Sequence, residues 1–314
     1  MDVSHRTSPN HPHLQHFIDQ AHNLPGAVVT AVVHPVDALS LAGALQAAEQ
    51  GIIEPWLVGP QSRIRAAAEA ADLDIRGLRL IDSEHSHAAA AEAVRLVRAG
   101  EVHALMKGGL ATGELLAAVT DRQLGLRTER RLSHIFVLDV PSYHKPLLVT
   151  DAAINIAPGL AEKADILQNA FDCAHALGIA EPRAAILCAV EKVMANMPAT
   201  LDAAALCKMV ERGQISGGIA DGPLAFDNAI SRQAAEAKGI RSTVAGEVDI
   251  LLAPDLEAGN ILSKQLQYLA GATAAGIVMG ARVPIILTSR ADGSLERLAS
   301  SAVALLVARH MGRL

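Results

Sequence analysis

Five polar stretches interrupt an otherwise aliphatic chain, and each follows directly on an apolar, β-branched run. Met106-Lys107-Gly108-Gly109, with Thr112, sets an ammonium and two glycines at the end of such a run. Glycines let an anion approach backbone N–H groups, and the lysine supplies charge. The pattern is neither a Walker A loop nor GxGxxG, and a Gly-Gly pair taken alone is equally a turn. Thr150-Asp151-Ala152-Ala153-Ile154-Asn155 places a carboxylate and an amide after a strand, with Asp151 equally readable as a helix N-cap. In Asp221-Gly222-Pro223 and the following Asp227-Asn228, turn chemistry accounts for Asp221 and Gly222 but not for Asp227. Thr288-Ser289-Arg290-Ala291-Asp292, with Glu296 one turn on, joins a hydroxyl, a guanidinium and carboxylates. The guanidinium fork suits phosphate better than lysine does, whereas Asp292 and Glu296 read equally as a cap and a dipole partner. Pro254-Asp255-Leu256-Glu257-Ala258-Gly259-Asn260 is the fifth junction. The set favours anions and lacks metal-ligand spacing, a Ser/His/Asp order and a cysteine. That points to direct transfer between bound anionic substrates.

Ligands of open parallel sheets sit at the carboxyl ends of strands, so the elements around these junctions matter. The pattern predicts strands over 27–33, 52–58, 78–81, 102–106, 135–140, 147–150, 184–190, 214–219, 248–253, 275–279 and 284–288. It predicts helices over 38–50, 62–71, 86–99, 112–124, 162–177, 201–212, 225–238, 258–270 and 294–309, with Asp37, Thr112 and Thr200 as caps. Strands that are apolar throughout imply helices on both sheet faces, and repeated strand–helix units imply parallel pairing. The expected fold class is α/β, with two three-layer lobes and a crossover near 141–146. The first 25 residues, with His5, His11, His13, His16 and His22, read as a flexible lead-in; a metal role for these histidines lacks acidic or cysteine partners.

Composition bounds the partners. A net charge of −6 gives no general attraction to nucleic acid or an anionic membrane surface. No stretch has the apolar length of a membrane span, and the N-terminus lacks the apolar core of a signal peptide. Cys173, Cys188 and Cys207 stand alone among apolar residues, which reads as buried reduced thiols. The expectation is a cytoplasmic protein with small-molecule substrates.

The segments SHIFVLDVPSYHKPLLVTDAAINIAP, DGPLAFDNAIS, ILLAPDLEAGNILSKQL and GARVPIILTSRADG together resemble the phosphate acetyltransferase/phosphate butyryltransferase family, from about Ala27 to the C-terminus. The likeness is greatest to the acetyltransferase module found fused to enoyl-CoA hydratase-like domains, and the chain is expected to be that module alone. The resemblance implies lobes like those of isocitrate and isopropylmalate dehydrogenases: residues 1–146 plus 289–314 in the first, 147–288 in the second, with an active site in the cleft between them. It implies a homodimer formed through the second lobe. It implies acetyl-CoA, CoA, inorganic phosphate and acetyl phosphate as substrates, with no cofactor, since phosphate is already a competent leaving group. Ser289 and Arg290 fall where the family contacts the acyl phosphate. Glu296 stands where acetyltransferase members carry an Asp base, so the base is either Glu296 or Asp292. Lys107, Gly108, Gly109, Thr112, Asp151, Asn155, Asp227 and Arg282 are candidate substrate contacts.

The implied reaction is attack of the CoA thiol on an acyl phosphate carbonyl, and its reverse. A thiol of pKa near 8.5 is about 3% thiolate at pH 7, a cost of only ~2 kcal/mol, whereas transfer to an ordinary Glu is uphill by ~6 kcal/mol. Positioning and charge stabilisation therefore contribute more than the base. The alternatives are a non-catalytic acyl-CoA-sensing module, a butyryltransferase, and a nicotinamide dehydrogenase of the same fold. The last would need a tighter acidic cluster than Asp221, Asp227 and Asp255 provide.

Overall fold

The computed structural model describes residues 11–289 and 291–313; Arg290, and His5 in the lead-in, lie outside the described residues. Eleven strands form one continuous sheet: β1 (Val28–Val33), β2 (Ile53–Gly59), β3 (Arg79–Asp82), β4 (Ala104–Lys107), β5 (Ser133–Asp139), β6 (Leu147–Thr150), β7 (Arg183–Leu187), β8 (Ile219–Leu224), β9 (Ile250–Leu252), β10 (Thr273–Met279) and β11 (Ile285–Ile286). Their order is β3-β2-β1-β4-β11-β10-β5-β6-β9-β7-β8. The strands from β3 to β11 run parallel, as do those from β6 to β8. Three antiparallel pairings, β11–β10, β10–β5 and β5–β6, join these blocks. An odd number of reversals makes the two parallel blocks run in opposite directions, so their carboxyl ends lie on opposite edges of the sheet. The fold is the expected α/β type. Strand β11, which falls within residues 147–288, pairs with β4 of the first block.

Burial shows how the two blocks make a groove. One face carries a single core, from Val32 and Ile53 through Ile135 and Ile277 to Ile250, under the helices Pro12–His22, Ala38–Glu49, Leu160–Ala176 and Ser294–His310. The other face carries two separate cores. Along β10, Val278 belongs to the first-block core and Ala274 to the second-block core. Side chains two apart on a strand share a face, so Gly276 lies where the cores part. His134 stands beside it on β5, its Nε2 3.3 Å from where a Gly276 Cβ would be.

Three expectations are corrected. Residues 12–22 are a helix, not a flexible lead-in: Leu14, Phe17, Ile18 and Ala21 recur at helical spacing and are buried, and Asp139 accepts the N–H groups of His13 (2.6 Å) and Leu14 (3.1 Å). The strand expected over 214–219 instead runs from Ile219 to Leu224 and includes Gly222-Pro223, which read as a turn. It is tolerated there because β8 is an edge strand whose register with β7 shifts between Ala185 and Leu187. The helix expected over 225–238 is two, Phe226–Ile230 and Arg232–Ala237, with an extended Ser231 between them whose hydroxyl caps the second.

Candidate functional site

At the carboxyl edge of the first block, a cavity of about 390 Å³ opens where β1, β4 and β11 end. Lys107, Gly108 and Gly109 line it from the end of β4, Thr288 and Ser289 from beyond β11, Asp37 from the turn after β1 and Ser40 from the first turn of the helix Ala38–Glu49. Arg63, on the helix Gln61–Ala70, and Arg297, on Ser294–His310, complete the wall. Of the sequence-selected residues, the structure therefore brings Lys107, Gly108, Gly109 and Ser289 together.

The glycines serve close approach rather than anion binding through their N–H groups. Gly108 N–H donates to Val33 O (2.9 Å) and Gly109 N–H to His34 O (2.8 Å), so both amides are committed inside the protein. A Cβ on Gly108 would collide with the Val33 carbonyl oxygen, and one on Gly109 would lie 2.7 Å from Asp37 Oδ2. Lys107 Nζ reaches Gly108 O at 3.2 Å. His34 itself sits at φ 56°, a left-handed backbone that costs a non-glycine residue energy. Its pKa is lowered, first by burial and then by the Arg63 guanidinium, so the imidazole beside the cavity is held neutral. Asp37 caps Ala38–Glu49 as expected, accepting Ser40 N–H at 2.9 Å.

The loop bearing Ser289 is braced by Asp292 and Arg297. Ser289 N–H donates to Asp292 Oδ2 (2.6 Å), and Ala291 N–H donates to Ser289 Oγ (3.3 Å), leaving the serine O–H as a donor. Arg297 donates to Asp292 O (3.2 Å), Ser289 O (3.1 Å) and Thr288 Oγ1 (3.5 Å). Burial raises the Asp292 pKa above the ordinary carboxylate value, and neighbouring Glu296 adds to the rise; Ser289 N–H, Arg297 and Lys264 oppose it. Glu296 lies in the first turn of its helix, and a Cβ on Gly293 would meet its Oε2 at 2.9 Å.

The other candidates lie elsewhere. Thr112 is not the cap of its helix; Ala111 is, with its N–H held by Glu114 at 2.9 Å, and Thr112 does not line the cavity. Asp151 is buried, and its carboxylate accepts the N–H groups of Ala153 (2.9 Å), Ile154 (3.1 Å) and Asn155 (3.2 Å). Asn155 in turn donates to Leu132 O at 2.8 Å, so this pair staples its own loop at the other edge of the sheet. Asp227 is an exposed partner of Lys238 at 3.0 Å, and that contact holds its pKa down. Arg282 lies in the β10–β11 turn, at the edge opposite Ser289, because the chain must traverse β11 between them. There it lines a separate hollow with Arg98, His103 and Arg313. Arg63, Ser40 and Arg297 were not singled out by sequence. Nothing but helical phase places them at the cavity, and phase cannot be chosen before the helix partners are known.

A family model described as phosphate acetyl/butaryl transferase matches residues 87–305. Phosphate acetyltransferase of Rhizobium meliloti is 58% identical over 280 residues, 89% of each chain. Phosphate butyryltransferase of Clostridium beijerinckii is 42% identical over 282 residues, 90% of this chain and 92% of that one. Among solved structures, a branched-chain phosphotransacylase from Enterococcus faecalis superposes with a TM-score of 0.78 at 27% identity, covering 90% of this chain and 99% of that one.

Proposed function

The chain belongs to the phosphate acetyl/butaryl transferase family, and we propose that it transfers an acetyl group reversibly between coenzyme A and inorganic phosphate at the cavity where β1, β4 and β11 end. The observation that carries this is the convergence of Lys107, Arg63 and the braced Ser289 loop on one cavity. Acetyl rather than butyryl follows from the greater likeness to an acetyltransferase relative.

The geometry supports a division of labour. Arg297 braces the Ser289 loop, and the cavity-lining cations Lys107 and Arg63, with Arg290 next in sequence to Ser289, supply the charge for a phosphoryl group. Ser289 O–H donates to the oxygen that gains charge as the thiol attacks. In the direction of acetyl-CoA formation, sulfur bonds to the carbonyl carbon, the carbon–oxygen bond to phosphate breaks, and phosphate leaves with the electron pair. The thiol proton passes to a base. Of the two carboxylates considered, Asp292 is favoured: burial narrows the gap between its pKa and that of a thiol. The reaction draws on no metal or redox group because the leaving group needs no further activation. Among the described residues, no group of three or more His, Cys, Asp or Glu could hold a metal ion.

Two further readings accompany this one. Ile156, Ile261, Tyr268 and Leu269 are 76%, 58%, 72% and 83% exposed on the second block, an apolar surface suited to a homodimer contact. Burial raises the thiols of Cys173, Cys188 and Cys207 to about 12, 11 and 12, which keeps them unreactive and fits a reducing cytoplasm. Among the described residues, no helix is long and apolar enough to cross a membrane.

The test is orthophosphate-dependent release of CoA thiol from acetyl-, propionyl- and butyryl-CoA. Acetyl-CoA is expected to give the highest kcat/KM. Thiol release that ignores orthophosphate with every thioester would overturn the function.

A further inference from the structure

The helix Leu256–Leu269 turns Asn260, Lys264 and Gln267 along one flank, at i, i+4 and i+7. That flank faces the groove between the two cores. Lys264 Nζ lies 5.9 Å from the ring centroid of Phe136, on the groove strand β5, and 5.9 Å from that of Tyr268. Its ammonium also acts electrostatically on His134, on the groove floor, and on Asp292, in the Ser289 loop of the opposite block. One lysine of the second block therefore looks onto both the floor of the groove and the loop across it.

The donors here outnumber their acceptors among the described residues. Among the described residues, the one hydrogen bond of Lys264 Nζ is a long contact of 3.4 Å to Gln267 Oε1. Among the described residues no carboxylate lies within the 4.0 Å ion-pair distance of it. Gln267 gives its oxygen to that contact, and its Nε2 is buried with no acceptor among the described residues. Two rings at 5.9 Å and one long hydrogen bond are weak partners for an ammonium that stands beside an amide donor with no acceptor. A buried amide donor without an acceptor is disfavoured, and an oxyanion that paired Gln267 Nε2 would also pair the half-buried Lys264 ammonium.

We propose that Lys264 and Gln267 form the second-block wall of the substrate site and bind phosphoryl oxygens across the groove from the Ser289–Asp292 loop. The inference rests on the acyl transfer proposed above. The phosphoryl group belongs either to orthophosphate and the acyl phosphate or to the diphosphate of CoA, and kinetics separates the two.

Lys264→Met keeps the stem and removes the charge; Lys264→Arg restores it. Steady-state rates in the phosphate-acetylating direction are expected to show a rise of about tenfold or more in one KM for Lys264→Met. A rise in the KM for orthophosphate assigns the donors to the transferred phosphate, and a rise in that for acetyl-CoA assigns them to the CoA diphosphate. Lys264→Arg is expected to recover most of the loss, and Gln267→Leu to raise the same KM by less. Both KM values within about twofold of wild type in Lys264→Met would overturn the proposal. Calorimetric titration with pyrophosphate tests the site without turnover: affinity should fall at least about fivefold in Lys264→Met, and equal affinity would overturn it. A wild type that binds pyrophosphate through Lys264 yet turns over no acyl-CoA would count against the acyl transfer alone.

Discussion

Gly43 lies in the interior of the helix Ala38–Glu49 and does not line the cavity, yet replacing it with Ala should impair catalysis. A Cβ there would lie 2.9 Å from Arg297 Cδ, so the arginine side chain must move. Its guanidinium makes three contacts to Thr288, Ser289 and Asp292, which hold the Ser289 loop in place. For stability the opposing contributions nearly offset. Ala for Gly gains about 1 kcal/mol of helix propensity, and crowding a side chain that can swing aside costs the lower part of the usual ~1–3 kcal/mol. For catalysis nothing offsets the loss. One hydrogen bond to a charged group is worth ~1.5–3 kcal/mol, which corresponds to about ten- to a hundredfold in rate. Thermal melting and orthophosphate-dependent thiol release, measured on the same preparation, should show a nearly unchanged melting temperature and kcat/KM lowered by about one to two decades. Wild-type kcat/KM in Gly43→Ala, with the alanine confirmed in the folded protein, would refute the bracing role of Arg297.

Arg290→Ala should lose several orders of magnitude in kcat while its circular dichroism stays native, since that guanidinium is assigned to the phosphoryl group. Asp292→Asn should lower kcat more than Glu296→Gln, with the difference narrowing as pH falls and the Asp292 base of the Glu296→Gln enzyme becomes protonated. The stability effect of Asp292 has the opposite sense to that of a paired carboxylate. Its folded pKa is raised, so ionisation costs stability at neutral pH, and the cost fades as pH falls through the raised pKa toward the ordinary carboxylate value; melting curves of wild type and Asp292→Asn should converge there. His134 is fully buried and lowered to about 4, first by burial. Its contribution is complete above the ordinary histidine pKa and is lost as pH falls from about 6.5 toward 4, so His134→Phe should flatten the acid side of the stability profile. Phe17→Ala, at a 3% exposed position of the first helix, should cost ~3–5 kcal/mol in denaturant titration.

Sequence patterning carried the strand–helix alternation because apolar runs and caps are local signals. Asp37 caps the helix that follows it, whereas Thr112 and Thr200 lie inside their helices, whose cap positions are held by Ala111 and Met197. The misreadings came where a non-local partner decides. Pro223 is admitted to a strand by the sheet edge and the register shift beside it. The first helix is drawn onto the sheet by Asp139, more than a hundred residues away along the chain. The same division runs through the site. Lys107, Gly108, Gly109 and Ser289 were legible because they end strands of one parallel block. Asp151 and Asn155 also follow a strand, but β6 runs the other way, which sends its end to the far edge of the sheet. Periodicity alone cannot reveal such a reversal, so strand-end residues of the two blocks looked equivalent in sequence. Gly108 and Gly109 illustrate a subtler limit: glycine marks close approach, and only the hydrogen bonds show that protein rather than ligand is what approaches.

The most direct test of the central claim is ³¹P NMR of acetyl-CoA and orthophosphate incubated with wild-type enzyme and with the Ser289→Ala/Arg290→Ala double variant. The account predicts an acetyl phosphate resonance growing in step with free CoA thiol for the wild type, and a rate lower by at least about a hundredfold for the folded double variant. An absent acetyl phosphate signal with active-concentration wild type, or equal rates from the two proteins, would contradict it.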